Sequence, residues 1–237
     1  MALYRGPKIV TNGLVLSLDS ADKNSYPGSG TTWKDLSGNG NDVYASTTIS
    51  LARFGNAIAF NFDAVGKYFG RGPYYGSSNF INSPSTNATL EAWIYPAAAE
   101  LSVGDRGTII LNTGTNGLYM SWNKSNQQLS NYWYGHPTEG YWENAAASSR
   151  SIWNHWCSVW NNVDGKIYQY TNGVKAATDG SSVGNANAGV NINIGRESDG
   201  RQFAGGIAII RIYNIPLTST QVLQNYNASK TRFGLGI

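Results

Sequence analysis

"WCSVWNNVDGKIYQYTNGVK", residues 156–175, decides the class of fold. Three strand-favouring segments are separated by Asp164-Gly165 and Asn172-Gly173. Asp, Asn and Gly accept positive φ, and such dipeptides form two-residue hairpin turns. Two of these turns in succession predict an antiparallel meander. Composition extends the reading: 28 Gly and 26 Asn supply turns, while 15 Tyr and 8 Trp favour strands. Many turns combined with many aromatics point to an all-β chain.

Further strands follow from alternation of apolar and polar residues. "GLVLSLD" (13–19) sets Leu14, Leu16 and Leu18 on one face, and "NAIAFNFD" (56–63) and "VNINIG" (190–195) alternate in the same way. "TLEAWIYP" (89–96) is a strand that Pro96 stops, and Asn116-Gly117 joins "GTIILN" to "GLYMSW" in a hairpin. "GIAIIRIY" (206–213) is apolar on both faces and predicts a central, covered strand. One helix is expected, over 219–226. Thr218 and Gln221 form its capping box, Leu217 and Val222 its staple, and Val222, Leu223 and Tyr226 its packing face. No βαβ rhythm, linker or repeat occurs. The expected organisation is an N-terminal arm (1–12), one two-sheet antiparallel sandwich (13–229) and a C-terminal tail (230–237).

The bulk properties exclude several functions. Net charge is +3, and the Lys and Arg residues are scattered rather than clustered, so no nucleic-acid partner is expected. No apolar run reaches the length of a membrane helix, and no signal peptide opens the chain, so no membrane insertion and no signal-directed export are expected. A single cysteine, Cys157, precludes an internal disulfide and fits synthesis in a reducing cytoplasm.

Four ordered blocks, "WKDLSGNGND" (33–42), "TLEAWIYP", "WCSVWNNVDGKIYQYTNGV" and "FAGGIAIIRIYNIPLT" (203–218), resemble the laminin G-like, concanavalin A-like jelly-roll domains. The resemblance implies two curved antiparallel sheets of about six or seven strands each. The flanks, "IVTNGLVLSLDSADKNSYPGSGTTWKDLSGNGN" (9–41) and "LQNYNASKTRFGL" (223–235), resemble the version found in tailed-phage virion proteins. Several of those are particle-surface or tail-appendage proteins, and many such domains bind glycans. Many members also carry an Asp that helps hold a structural calcium, and here that position is Ala208. Calcium needs several oxygen ligands, usually with a carboxylate, so no metal and no cofactor are expected. Asp19, Asp35 and Asp42 are assigned to turns and caps.

Chemistry is sparse. Glycosidases need two carboxylates across a cleft, yet Glu91 stands alone on its strand. Glu139 and Glu143 are four apart in a Gly- and aromatic-rich stretch, and Glu197 and Asp199 read as a turn. His155 and Cys157 share a strand face, but Cys157 shares it with Val159 as a small buried hydrophobe. His136 and His155 form no metal-spaced pair, and the three Asn-x-Ser/Thr sequons carry no glycosylation meaning without export. No enzyme is expected.

"NYWYGHPTEGYW" (131–142) holds five rings in twelve residues. Alternation sends Trp133 inward with Leu129 and sets Tyr132 and Tyr134 outward with Ser130. His136, Glu139, Tyr141 and Trp142 are left in a loop. Tyr132, Tyr134, His136, Tyr141 and Trp142 are the candidate contacts to a glycan or a protein. Trp33, Trp93, Trp156 and Trp160 are assigned to the core. The expectation is a non-enzymatic virion protein, made in the host cytoplasm and displayed on capsid or tail. It would act in attachment, adhesion or decoration, with the arm and tail as anchors. Its partners would be other virion proteins, further copies of itself and a cell-surface glycan. A lectin-like carbohydrate-binding module is the alternative, and a hydrolase or lyase on the same fold the third reading.

Overall fold

A computed structural model describes residues 7–71, 87–99, 101, 106–113, 118–133, 141–143, 149–177, 179–181, 191–197 and 201–236. The strands, in chain order, are β1 (Leu14–Asp19), β2 (Thr32–Trp33), β3 (Val43–Ala45), β4 (Leu51–Phe54), β5 (Ala57–Phe62), β6 (Phe69–Arg71), β7 (Ala88–Pro96), β8 (Arg106–Thr113) and β9 (Leu118–Asn123). They continue with β10 (Gln128–Trp133), β11 (Tyr141–Glu143), β12 (Asn154–Asn161), β13 (Lys166–Thr171), β14 (Val174–Lys175), β15 (Gly180–Ser181), β16 (Asn191–Ile194) and β17 (Gly205–Tyr213). One helix, α1 (Ser219–Ser229), and a 3-10 turn, Lys230–Phe233, follow.

Two antiparallel sheets form a jelly-roll sandwich. Among the described residues, sheet I has nine strands, in the order β14-β13-β12-β7-β17-β5-β4, with β1 beside β17 and β15 beside β13. Sheet II has eight, in the order β11-β10-β9-β8-β16-β6-β3-β2. The surplus over six or seven strands per sheet is made up of two- and three-residue pieces such as β2, β3, β14 and β15. As its apolar run predicts, β17 is buried at every residue. β7 lies along one of its edges, while β5 and then β1 share the other.

Alternation on the long strands sorts the core. From β7, Leu90, Ala92 and Ile94 face sheet II; from β12, Trp156 and Trp160 do the same. They meet Trp33, Ile110, Met120, Trp122 and Leu129 of sheet II. Trp122 stacks on Trp156 at 5.3 Å, and the Ser158 hydroxyl donates to Asn131 Oδ1 across the sheets at 2.7 Å. The opposite faces of the same strands form two outer clusters. One gathers Cys157, Val159, Tyr170 and Tyr213 beneath Leu217 and Val222; the other gathers Trp93, Trp153, Ala208 and Phe233.

Several local expectations change in the structure. A β-bulge between Leu14 and Leu16 breaks the alternation, so Leu16 and Leu18 join the inner core and Leu14 packs on the outer cluster. The β12–β13 connection is a four-residue loop, because Asn161 pairs with Lys166 and only Gly165 takes positive φ. The β13–β14 turn does have two residues, with Asn172 and Gly173 at φ of 52° and 77°. A Cβ at Gly173 would come within 2.9 Å of Tyr226, so the turn is pressed against the helix. The Asn116-Gly117 turn lies outside the described residues, but β8 and β9 pair as a hairpin does.

Helix α1 starts where the capping box places it. Gln221 N donates to Thr218 Oγ1 at 3.3 Å, and Thr218 N donates to Gln221 Oε1 at 2.9 Å. It runs on to Ser229, and its buried residues are Val222 and Asn225, while Leu223 is 45% exposed. Asn225 replaces Leu223 on the packing face because its amide serves buried polar groups below.

The described parts of the arm and tail, residues 7–12 and 230–236, make contacts with the sandwich. Val10 is buried; its N–H donates to Asn225 Oδ1 at 2.8 Å, and Tyr213 donates to its carbonyl at 3.1 Å. Arg232 Nη1 donates to both Asp19 oxygens at 2.7 Å. Phe233 stacks on Trp93 at 4.0 Å and abuts Trp153 at 4.6 Å. Phe233→Ala should therefore destabilise the fold by about 3–5 kcal/mol, the usual loss for a buried ring. Urea denaturation checks this, and a loss near zero would mean that the tail only rests on the surface.

Candidate functional site

The aromatic stretch singled out above falls on β10, on β11 and on residues between them. Tyr141 and Trp142 are not in a loop. They form β11, where Tyr141 stands opposite Tyr132 and Trp142 opposite Asn131. The strand assignment fits the aromatic pair, as aromatics favour strands. Among the described residues β11 pairs with β10 alone, so it ends sheet II. Tyr134 and His136 lie outside the described residues, as do the side chains of Tyr132, Trp133, Tyr141 and Trp142. Leu129 is core as expected. Ser130, assigned to an open face, is fully buried, with Thr108 and Ser121 buried alongside and the Thr108 and Tyr119 hydroxyls bonded at 3.0 Å. The second face of sheet II is thus covered at this point. Sequence alternation reports only which residues share a face, not whether that face is open.

The most unusual chemistry lies on the outer face of sheet I, where Glu91 is not alone. It sits opposite Arg211 on β17 and Cys157 on β12, fully buried. Arg211 Nη1 donates to Glu91 Oε1, and Asn225 Nδ2 donates to Oε2 at 2.7 Å. His155 Nε2 lies 3.3 Å from Oε1, and its ring packs between those of Trp93 and Tyr226. Burial alone would push the Glu91 carboxyl up. The Arg211 charge, helped by His155 and Asn225, outweighs it and brings the group down to about 2. Burial, together with the Glu91 charge, pushes the Cys157 thiol well up, which suppresses its thiolate.

Every other carboxylate with a described side chain is also committed. Asp19 pairs with Arg232, Asp63 with Lys67, Asp179 with Lys175 and Glu197 with Arg201. Asp164 accepts from Tyr168, and Asp22 from the Asn24 amide. Asp35 accepts the amides of Ser17, Ser37 and Asn41, and Asp42 accepts that of Asp35. Asp19, Asp35 and Asp42 thus serve turns and a surface pair. Ala208, in the calcium-linked position, is the extra residue of a bulge in β17 and is buried among Trp93, Trp153 and Phe233.

The buried pair makes two measurable claims. Arg211→Met leaves a charge without its partner and should cost about 3–5 kcal/mol at neutral pH by urea denaturation. Folding lowers the Glu91 pKa, so its contribution is present above the unfolded value of about 4.3 and is lost as pH falls towards 2. The acid limb of the stability curve should flatten in Glu91→Gln. An Arg211→Met protein as stable as the parent would contradict both.

Comparison with known proteins places this geometry in context. The sequence profile described as "Concanavalin A-like lectin/glucanases superfamily" matches residues 69–223, more than half of the chain. A search of curated proteins finds no match. Among solved structures, the fold resembles domain 4 of AbnA, an extracellular arabinanase from Geobacillus stearothermophilus, in complex with arabinotriose. The TM-score is 0.65 at 17% identity, covering 90% of this chain and 98% of that one. It also resembles the binding domain of Paraclostridial mosquitocidal protein 1, at TM-score 0.68 and 16% identity over 96% of this chain and 56% of that one. A third likeness is to Trypanosoma rangeli sialidase, at TM-score 0.61 and 19% identity, over 93% of this chain but only 33% of the enzyme. At these identities the likeness is one of fold. With the profile match, the alternating strands and the two antiparallel sheets, it establishes that the chain belongs to the concanavalin A-like lectin/glucanase superfamily.

Proposed function

We propose that this protein is a non-catalytic binding module of a tailed-phage virion, made in the host cytoplasm and displayed on the capsid or tail. The observation that carries the reading is the commitment of every described carboxylate to an ion pair, a cap or a turn, with the central Glu91 neutralised by Arg211. Glycoside cleavage needs one acid free to give a proton and a second to attack or to activate water. A surface spent in this way is suited to contact.

The virion assignment rests on the flanks whose sequences resemble phage virion domains, residues 9–41 and 223–235. They meet on the outer side of sheet I, although the first flank also runs on into β2 of sheet II. Val10 bonds to Asn225, Asp19 pairs with Arg232, and Gln224 Nε2 donates to the Lys8 carbonyl at 2.7 Å. Two blocks so far apart in the chain that meet in this way support a resemblance to one domain type rather than two chance matches. In this reading β11, the end of sheet II, seats the module on a neighbouring virion protein or on a second copy. Tyr132, Tyr134, His136, Tyr141 and Trp142 supply that contact, since an open strand edge offers its backbone groups to a partner.

Carbohydrate binding is the companion reading. It is favoured by the likeness to a nearly whole arabinanase domain whose structure holds arabinotriose. Mass spectrometry of gradient-purified particles tests the virion assignment. The chain should co-purify with capsid and tail proteins, and antibodies against it should decorate particles in electron micrographs. A chain abundant in infected cells yet absent from particles would end that assignment.

A further inference from the structure

We infer that the cleft between the β12–β13 hairpin and the start of α1 is a subsite for a neutral saccharide, a proposal that rests on the binding reading above. The cleft exists because the helix roofs only part of sheet I. Tyr168 and Tyr170 lie two apart on β13 and share its outer face. Tyr170 goes beneath the roof, and its hydroxyl bonds to Ser219 Oγ at 3.0 Å. Tyr168 remains partly exposed, beside an opening of about 370 Å³ floored by Val159 and Leu217. That volume lies within the range of small-molecule pockets.

The lining has the two-sided character of a sugar. Lys175 Nζ lies over the Tyr168 ring at 4.4 Å and part of the ring packs on the outer cluster, so the part that lines the cleft is what would meet the C–H face of a pyranose or furanose. Asp164, Asn161, Lys175 and Ser219 line the cleft, and beyond the bonds they make to one another, to Asp179 and to the tyrosines, their remaining lone pairs and N–H groups could meet hydroxyl groups. The charges balance. Lys175 and Lys166 both face Asp179, at 2.7 and 3.5 Å, and Asp164 adds a second carboxylate. Two cations against two anions leave no net positive charge to hold a phosphate or an acidic sugar.

The platform is also fixed before a ligand arrives. The Tyr168 hydroxyl donates to Asp164 Oδ2 at 2.5 Å, and that bond, with some burial, holds the phenol up to about 12. Tyr168 is therefore a neutral donor throughout the physiological range. A ring clamped at its tip by Asp164 and on one face by Lys175 loses little freedom on binding. Val163 on the β12–β13 loop and Val174 on β14, 88% and 69% exposed, stand on the segments that precede and follow β13.

Titration of the isotope-labelled full chain with arabinotriose and with lactose, followed by amide NMR, tests the proposal. At least one sugar should shift the amides of 164–175 and 217–220. Tyr168→Ala should weaken its Kd by at least about tenfold, while Tyr168→Phe, which keeps the ring, retains binding. Thermal unfolding confirms that both variants fold, and Lys175→Ala serves as the independent variant should Tyr168→Ala not fold. Sugar binding that leaves these amides unmoved and survives Tyr168→Ala overturns the subsite but leaves the binding reading intact. The subsite also falls if only acidic sugars or a peptide from another virion protein enter the cleft. No shift with either sugar, together with no signal on a glycan array, overturns both readings.

Discussion

The Glu91–Arg211 pair is the constraint around which the outer half of the molecule is arranged. Its members face each other on adjacent central strands, β7 and β17, and both are buried away from solvent. A buried ion pair of this kind gives little net stability, because desolvation offsets most of the attraction. Its value is in specificity. The second carboxylate oxygen needs a donor, and Asn225 supplies it from α1; the second guanidinium nitrogen reaches Ser229, 3.3 Å away at the end of that helix. The pair thereby dictates where the helix lies and which of its faces turns down. The helix in turn holds Val10 through Asn225, so the first and last described segments are tied to the same charge pair.

This arrangement separates two kinds of packing. Between the sheets the interior is apolar, with large rings interdigitating and a polar bridge from Ser158 to Asn131. Outside sheet I the cover is patchwork: a helix, a strap from residues 8–12 and a 3-10 turn that presses Phe233 onto Trp93. Patchwork leaves edges. The exposed part of Tyr168 and the cleft beside it lie where the helix roof stops short of β13. Stability and the proposed subsite would thus share one origin, since the residues that anchor α1 also decide how much of the β13 aromatic row it covers.

Fold and function stand at different distances from these observations. Superfamily membership follows from the profile match and the two-sheet topology. The same sandwich occurs in an arabinanase domain, a toxin binding domain and part of a sialidase, so the scaffold fixes no single chemistry. In this chain the described acids serve the fold. Each described carboxylate holds a turn, a cap or a cation, and the one at the centre of sheet I is turned into a structural element.

The sequence by itself determined the all-β class, most of the long strands, the β13–β14 turn and the capped start of α1. Each of these is written in residues within about ten positions of one another, where period-two alternation and turn chemistry act locally. It also placed Trp33, Trp93, Trp156 and Trp160 in the interior, since large rings in strand-like segments are usually buried. Only tertiary structure decided the partner of Glu91, because Arg211 lies 120 residues away and neither residue carries a local sign of the other. The same holds for the bulge that turns Leu14 outward, for the burial of Asn225 in place of Leu223, and for Phe233 as a plug rather than a free tail. The sites follow this division. Alternation could show that Tyr168 and Tyr170 share a face, but which of the two remains open depends on where a helix much further along the chain begins.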